Sequence, residues 1–154
     1  MEVDGKIQDT ILVAGEIMSL TPPERCHNVN KLLPYVAERV LQLLDAMRER
    51  GFDPMVYETL RDKKRQYYLF CQGRTAKQAF MHGVPKKYAD AWARPGIVVT
   101  QTLKSKHLVG KAADVVSQST LWSDPKFFTA LAEEAKKVGL HTLGFERCHC
   151  EWQG

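Results

Sequence analysis

Three short segments of the chain carry side chains that could bind a metal ion and use it for hydrolysis. His107 and Asp114 lie seven positions apart in KSKHLVGKAADVV, and Glu146 and His149 lie three apart in ERCH near the C-terminus. A typical catalytic zinc has three protein ligands and an open fourth position for water, whose pKa it lowers while it polarises a carbonyl. A carboxylate that is not a ligand can then take the water proton and pass it to a leaving amine. Two histidines, an aspartate and a spare glutamate are the set that this chemistry requires.

The spacing of His107 and Asp114 requires a break in the backbone between them. Seven is an odd number, so a straight strand would point the two side chains to opposite faces. Gly110 can form a turn, which predicts a loop that delivers His107 and then a strand that delivers Asp114. Asp114 stands beside valines, and a buried acid is costly unless it is paired or bound to a metal.

Other interpretations of the same residues stay open at this point. His107 in a loop and Glu146 near the C-terminus are each typical of ordinary polar surface. His149 lies between Cys148 and Cys150, so a local metal site with thiolate ligands competes with the His–Asp–His set. The four cysteines of the chain suit neither a disulfide scaffold nor a four-cysteine zinc site, and we expect them to be reduced.

Composition is that of one globular domain. The chain has 154 residues, of which 44% are hydrophobic and 26% charged, which is ordinary for a folded domain and wrong for a disordered one. We expect a single domain over residues 1–154, with residues 1–29 as an N-terminal extension packed on it, and a monomer.

Charge and apolar runs exclude several classes of function. No apolar run approaches the roughly 20 residues of a membrane helix, and the acidic N-terminus does not look like a secretory signal, so we expect synthesis in the cytoplasm and no membrane insertion. The net charge of +4 would favour an anionic partner but falls short of a basic stripe for nucleic acid. The densest basic run, RDKKRQ at residues 61–66, is typical of a solvated helix face.

Apolar periodicity and turn residues predict the elements that must position the candidate ligands. Helices are predicted over 30–51, capped by Asn30, over 63–73, capped by Asp62, and over 123–140, capped by Ser123. Strands are predicted over 54–60, 96–102 and 112–118, with an extended tail after a turn at Gly144. Residues 74–96 are predicted to be a long loop with some helix around 86–92. Because helices and strands do not alternate regularly, we expect an α+β fold with a small, mainly antiparallel sheet and flanking helices.

Two motifs resemble those of the zinc D-alanyl-D-alanine peptidase family. The pattern S-x-H-x-x-G-x-A-x-D begins at Ser105 and ends at Asp114, and E-x-x-H follows as Glu146 and His149. The family includes the vancomycin-resistance D,D-dipeptidases and carboxypeptidases and the L-alanyl-D-glutamate endopeptidases of phage endolysins. The resemblance runs from about residue 30 onward and implies the fold of these peptidases, which the zinc-bearing signalling domain of hedgehog type shares.

The resemblance also implies a role for each matching residue. By it, His107, Asp114 and His149 bind Zn²⁺, and Glu146 is the general base and acid. Arg61, in VYETLRDKKRQ, matches an arginine that polarises the carbonyl oxygen of the scissile bond. Gln66 matches a glutamine that we expect either to contact the substrate or to be structural, and Ser105 is expected to contact the substrate. Glu151 is expected either to support His149 or to be an exposed acid.

The family and the short chain together predict a zinc metallopeptidase, a peptidoglycan hydrolase that acts on the stem peptide. The preferred activity is an L-alanyl-D-glutamate endopeptidase of the bacteriolytic endolysin kind, because a lytic enzyme released from the host cytoplasm to the cell wall would need no export signal. One alternative is a D-Ala-D-Ala dipeptidase or carboxypeptidase. A second is a zinc-stabilised binding domain that catalyses nothing, although such a domain would need neither Glu146 nor Arg61.

Overall fold

The structure, a computed structural model, describes residues 20–154. These residues divide into two compact units, one formed by residues 25–63 and 104–154 and the other by residues 64–103 together with the segment that ends at Glu24. Residues 1–19 of the expected N-terminal extension lie outside the described residues. The expectation of a single domain over the whole chain stays a prediction.

The larger unit is built on a four-stranded antiparallel sheet. Its strands are β1 (Pro54–Glu58), β2 (Ala112–Ser117), β3 (His141–Leu143) and β4 (Glu146–Glu151), in the order β1-β2-β4-β3. The helices of this unit are α1 (Pro34–Glu49) and α5 (Pro125–Lys137). With the helices of the other unit, this gives the α+β class with a small antiparallel sheet that the sequence predicted.

The core of the larger unit lies between the sheet and the apolar stripes of its two helices. Buried side chains recur at helical spacing, which is how an amphipathic helix packs on a sheet. They include Val36, Val40, Leu43 and Met47 on α1 and Phe127, Phe128, Leu131 and Ala135 on α5.

Both helix starts differ from the sequence prediction. α1 begins at Pro34, and Asn30 instead lies in a short 3₁₀ turn (Val29–Lys31). A proline disfavours helical backbone in the residue before it, so the helix cannot extend back past Leu33. Asp124 caps α5 by accepting a hydrogen bond from the backbone N–H of Lys126. The prediction that Ser123 caps this helix was therefore wrong.

The smaller unit is helical. Its helices are α2 (Lys63–Cys71), α3 (Ala76–Met81) and α4 (Lys86–Trp92). The first residue of α2, Lys63, belongs to the larger unit. Its core includes Phe70, Val84, Tyr88 and Trp92. The indole N–H of Trp92 donates to the carbonyl of Leu20 at 2.6 Å, which ties the start of the described chain to this core.

The strand predicted over residues 96–102 is absent, and the segment forms an irregular stretch. The carbonyl of Thr100 accepts a hydrogen bond from Arg74 and that of Thr102 accepts one from Gln66. Side chains therefore occupy backbone groups that a neighbouring strand would use, and Ile97 is 85% exposed. The β-branched composition was misleading here because tertiary contacts decide strand formation.

Two short elements were missed. α3 begins with a capping box in which Thr75 and Gln78 bond reciprocally, a signature that the sequence does contain. β3 lies before the turn at Gly144 and pairs with β4 through it. None of the helices between residues 20 and 154 is both long enough and apolar enough to cross a membrane.

Candidate metal centre

His107 reaches the site from a short turn that its neighbours define. The turn is a 3₁₀ helix (Lys106–Val109), and the Ser105 hydroxyl caps it by accepting a hydrogen bond from the His107 N–H at 3.2 Å. Gly110 ends the turn with φ +71°, and a Cβ there would lie 3.1 Å from the nitrogen of Leu33. The prediction that Gly110 separates a loop bearing His107 from a strand bearing Asp114 is confirmed.

Asp114 and His149 are direct neighbours across two strands. Asp114 in β2 pairs with His149 in β4, and paired residues of antiparallel strands share one face. With His107 they form a cluster in which one ligand atom from each residue lies within 4.8 Å of the others. The exposed fractions are 0% for His107, 6% for Asp114 and 4% for His149.

Each imidazole is oriented through the nitrogen that points away from the cluster. Nδ1 of His107 lies 2.7 Å from the carbonyl oxygen of Thr59, which can only accept, so this nitrogen carries the proton. Nε2 of His149 lies 2.8 Å from the Glu151 carboxylate, which holds the proton there in the same way. The two remaining nitrogens face the Asp114 carboxylate, at 3.1 Å from His107 and 3.5 Å from His149.

The donor set fits a zinc ion. Nδ1 of His149 is buried and has no hydrogen-bond partner among residues 20–154. A buried polar atom left without a partner is costly, and an unprotonated imidazole nitrogen is a good zinc ligand. Outer partners on histidines and a nearby carboxylate are the usual surroundings of such a site. His107, Asp114 and His149 can therefore hold a metal ion.

The two histidines that face Asp114 affect the pKa of its carboxyl. Burial alone would raise this pKa, but the interactions with His107 and His149 outweigh burial and hold it well below its usual range. A lowered pKa favours the carboxylate form of Asp114, which is the form that can bind a metal ion.

Glu146 is the first residue of β4 and is partly buried. The two-residue turn Gly144–Phe145 joins it to Leu143, its partner in β3. Burial is the main cause that raises the pKa of its carboxyl; His149 lowers that pKa and the charge of Asp114 raises it further. Glu146 thus lies within electrostatic reach of the cluster, and a carboxyl with a raised pKa suits proton transfer.

Arg61 lies beside the cluster and is paired with a buried acid. Its Nη2 lies 3.0 Å from Oε1 of Glu58, and its Nε lies 3.2 Å from Oε2. The same Nη2 lies 3.6 Å from Oδ2 of Asp114. The backbone N–H of Arg61 donates to the carbonyl of His107 at 3.0 Å, which links the arginine segment to the ligand turn.

Gln66 belongs to the smaller unit. Its side chain is fully buried, and its amide donates to the carbonyl of Thr102 at 2.7 Å. The expected substrate contacts of Gln66 and Ser105 stay predictions, and the hydrogen bond of Ser105 to the ligand turn gives that hydroxyl a structural part.

The thiols of Cys148 and Cys150, the residues on either side of His149, lie on the core face of the sheet. Cys148 and Cys150 belong to the hydrophobic core cluster, and the metal-ligand cluster found within residues 20–154 contains neither. Burial raises the pKa of Cys148 to about 12 and that of Cys150 well above its ordinary value. The positions of these thiols therefore favour the His–Asp–His set over a metal site with thiolate ligands around His149.

Sequence reasoning missed two residues that shape the site. Thr59 orients His107 through its backbone carbonyl, which leaves no signal in the residue type. Glu58 did leave a signal, because an acid within a strand, three positions before an arginine, has to be paired if it is buried.

Comparison with known proteins agrees with this fold. No curated protein sequence matches the chain. Among solved structures, VanYB in complex with D-alanine-D-alanine is 17% identical with a TM-score of 0.54, and the match covers 87% of this chain and 79% of that one. A vancomycin-resistance D,D-pentapeptidase VanY mutant with Zn(II) is 17% identical with a TM-score of 0.54, covering 89% and 82%.

A third structure, the LdcB LD-carboxypeptidase, is 20% identical with a TM-score of 0.53. The match covers 80% of this chain but only 59% of that one, so the chain spans about three fifths of the length of LdcB. At these identities the three structures show a shared fold.

The family follows from the sequence itself. The sequence model of the VanY family, described as D-alanyl-D-alanine carboxypeptidase, matches residues 29–151. This range contains both motifs and all three candidate ligands, and it confirms the resemblance to the D-alanyl-D-alanine peptidases. The chain belongs to the VanY family of D-alanyl-D-alanine carboxypeptidases.

Proposed function

We propose that this protein is a zinc-dependent peptidase that cuts a peptide bond in the peptidoglycan stem, with the D-Ala–D-Ala bond as the first candidate. One observation carries the proposal. A buried His–Asp–His cluster has one nitrogen, on His149, without a hydrogen-bond partner among residues 20–154. Glu146, whose pKa is raised, lies within electrostatic reach of this cluster, and the buried Arg61 lies next to Asp114.

The ligand roles follow from the atoms that face the cluster. Nε2 of His107, the carboxylate of Asp114 and Nδ1 of His149 would hold the ion. When bound, zinc would supply a Lewis acid for the scissile carbonyl and would acidify the water that attacks it. Thr59 and Glu151 keep the two imidazoles in the tautomers that present a lone pair to the ion.

Glu146 and Arg61 would share the remaining work. The carboxylate of Glu146 accepts the proton of the attacking water and gives it to the leaving amine, so that the proton balance closes within one turnover. The guanidinium of Arg61 donates hydrogen bonds to the carbonyl oxygen as negative charge develops on it. A domain in which the metal is purely structural would need neither group.

The choice of bond follows from the family. The matching family model describes a D-alanyl-D-alanine carboxypeptidase, and a structural relative was solved with D-alanine-D-alanine bound. The L-alanyl-D-glutamate bond and release from a phage-infected cell stay predictions from the sequence.

A digest of defined peptides tests the proposal. The zinc-loaded protein is incubated with a stem pentapeptide that ends in D-Ala–D-Ala and, separately, with peptidoglycan sacculi, and the new termini are identified by mass spectrometry. We expect released D-alanine, and a Glu146→Gln variant that binds zinc but loses about 100-fold or more of the rate. A new L-alanine carboxyl terminus would instead establish the endopeptidase. A native protein that binds zinc and cuts neither substrate would refute the proposed function.

A further inference from the structure

We propose that Glu58 is a positioning residue for the hydrolysis, because its buried carboxylate holds the guanidinium of Arg61 beside the metal-ligand cluster. The inference rests on the proposed function, since it gives Glu58 a part in the same reaction. Glu58 itself acts through Arg61 and is given no contact with the substrate.

An irregularity in β1 brings Glu58 into line with the candidate ligands. The regular register between β1 and β2 ends at Val56, and after a bulge Glu58 pairs with Asp114. Uninterrupted pairing would have placed Tyr57 opposite Asp114 instead. Because Asp114 pairs in turn with His149, a row of three site residues crosses three strands on one face.

This row places two carboxylates side by side away from water. Glu58 is 2% exposed and Asp114 is 6% exposed. Like charges opposite each other on paired strands repel, and burial adds to the cost of both. The guanidinium of Arg61 relieves the repulsion because it donates two hydrogen bonds to Glu58 and lies 3.6 Å from Asp114.

The pairing constrains the guanidinium strongly. Two nitrogens of Arg61 meet two oxygens of Glu58, and such a forked contact sets both the position and the plane of the guanidinium. The backbone that carries Arg61 is also held in place. The N–H of Thr59 donates to the carbonyl of Cys26, and the N–H of Arg61 donates to the carbonyl of His107. A donor that must meet a developing oxyanion is effective only when it is held in place beforehand.

A second Glu–Arg pair in the same unit provides a matched control. Glu134 in α5 is 8% exposed, and Arg50 donates to it at 3.1 Å. Neither residue belongs to the row or contacts the candidate ligands. Glu134→Gln therefore reports what the loss of a buried carboxylate does to the fold alone.

The test is a double-mutant cycle of Glu58→Gln and Arg61→Ala on the zinc-loaded protein, with kcat, KM and zinc content measured for each variant. We expect Glu58→Gln to lower kcat about 10- to 100-fold with zinc retained, the range for loss of an outer partner of a site group. In the Arg61→Ala background it should add less than about twofold, because residues that act as a unit are not additive. Glu134→Gln should leave kcat within about twofold.

Two results would overturn the inference while the protein remains an active peptidase. One is a Glu58→Gln variant with native kcat, and the other is a pair of losses that multiply in the double variant. If Glu58→Gln fails to fold, Glu58→Asp replaces it. This variant keeps the charge but moves the carboxylate oxygens away from Arg61 by one methylene length, so kcat should fall partly. A native protein that hydrolyses neither substrate would refute the proposed function itself, which distinguishes the two failures.

Discussion

His149 and Cys150 are neighbours in β4, yet they lie on opposite faces of the sheet and in different surroundings. His149 faces Asp114 and Glu151 and keeps one buried nitrogen without a hydrogen-bond partner among the described residues. Cys150 is fully buried in the apolar core, where burial raises the pKa of its thiol well above the ordinary value. Cysteine is as good a zinc ligand as histidine in general, so the difference lies in the surroundings.

The two faces differ in how their polar groups are satisfied. On the site face, each buried polar side chain has an outer partner that orients it, such as Thr59 for His107 and Glu151 for His149. On the core face, aliphatic and aromatic side chains surround the thiols and offer no charge to stabilise a thiolate. Because side chains alternate between the two faces of a strand, a candidate metal ligand and a core residue can occupy adjacent positions.

The largest effect expected from this contrast is on metal binding. His149→Ala should lower zinc affinity by more than the roughly 100-fold that the loss of an outer partner can cost. Cys150→Ala, the matched change on the other face, should leave zinc affinity unchanged. Titration with a competing chelator measures both, and a Cys150 variant that loses zinc would contradict the division between the faces.

A smaller effect is expected one step outward on the site face. Glu151→Gln removes the carboxylate that holds the proton on Nε2 of His149, and it should weaken zinc binding by about 10- to 100-fold. The amide can place either an oxygen or an N–H toward the imidazole, so the preferred tautomer is no longer enforced. Isothermal calorimetry provides the measurement, and unchanged affinity would show that Glu151 plays no part in orienting the histidine.

The smallest effect concerns the core face and should appear in stability. Cys150→Ser buries a hydroxyl among apolar groups and should lower the free energy of unfolding by about 1–3 kcal/mol. Urea denaturation of the zinc-free protein measures this, with Cys150→Ala as the control for lost volume. A serine variant as stable as the native protein would mean that this position is more polar than its neighbours indicate.

The clustering of the three candidate ligands could be predicted from the sequence because it depends largely on local features. Gly110 indicates the turn that brings His107 toward Asp114. The family motif gives the order of the three residues along the sequence and the separation of His149 from the other two. The stripes of α1 and α5 were likewise visible in apolar periodicity, although proline chemistry at Pro34 moved the start of one helix.

The parts that sequence reasoning missed depend on non-local pairing. A bulge shifts the register by one residue and puts Glu58 rather than Tyr57 opposite Asp114. The residue types of Glu58 and Tyr57 do not predict this shift. The failed strand over 96–102 has the same origin, since Arg74 and Gln66 take its carbonyls from elsewhere in the chain. Residue types predict which groups can react, while the register of the sheet decides which of them meet.

X-ray absorption at the zinc edge of the zinc-loaded native protein tests the central claim most directly, because the scattering distances identify the ligand atoms. The His–Asp–His site predicts nitrogen and oxygen neighbours at about 2.0–2.2 Å and no sulfur. A shell at about 2.3 Å from sulfur would place zinc on a cysteine. That result would contradict the division between the two faces of β4 on which the proposed site depends.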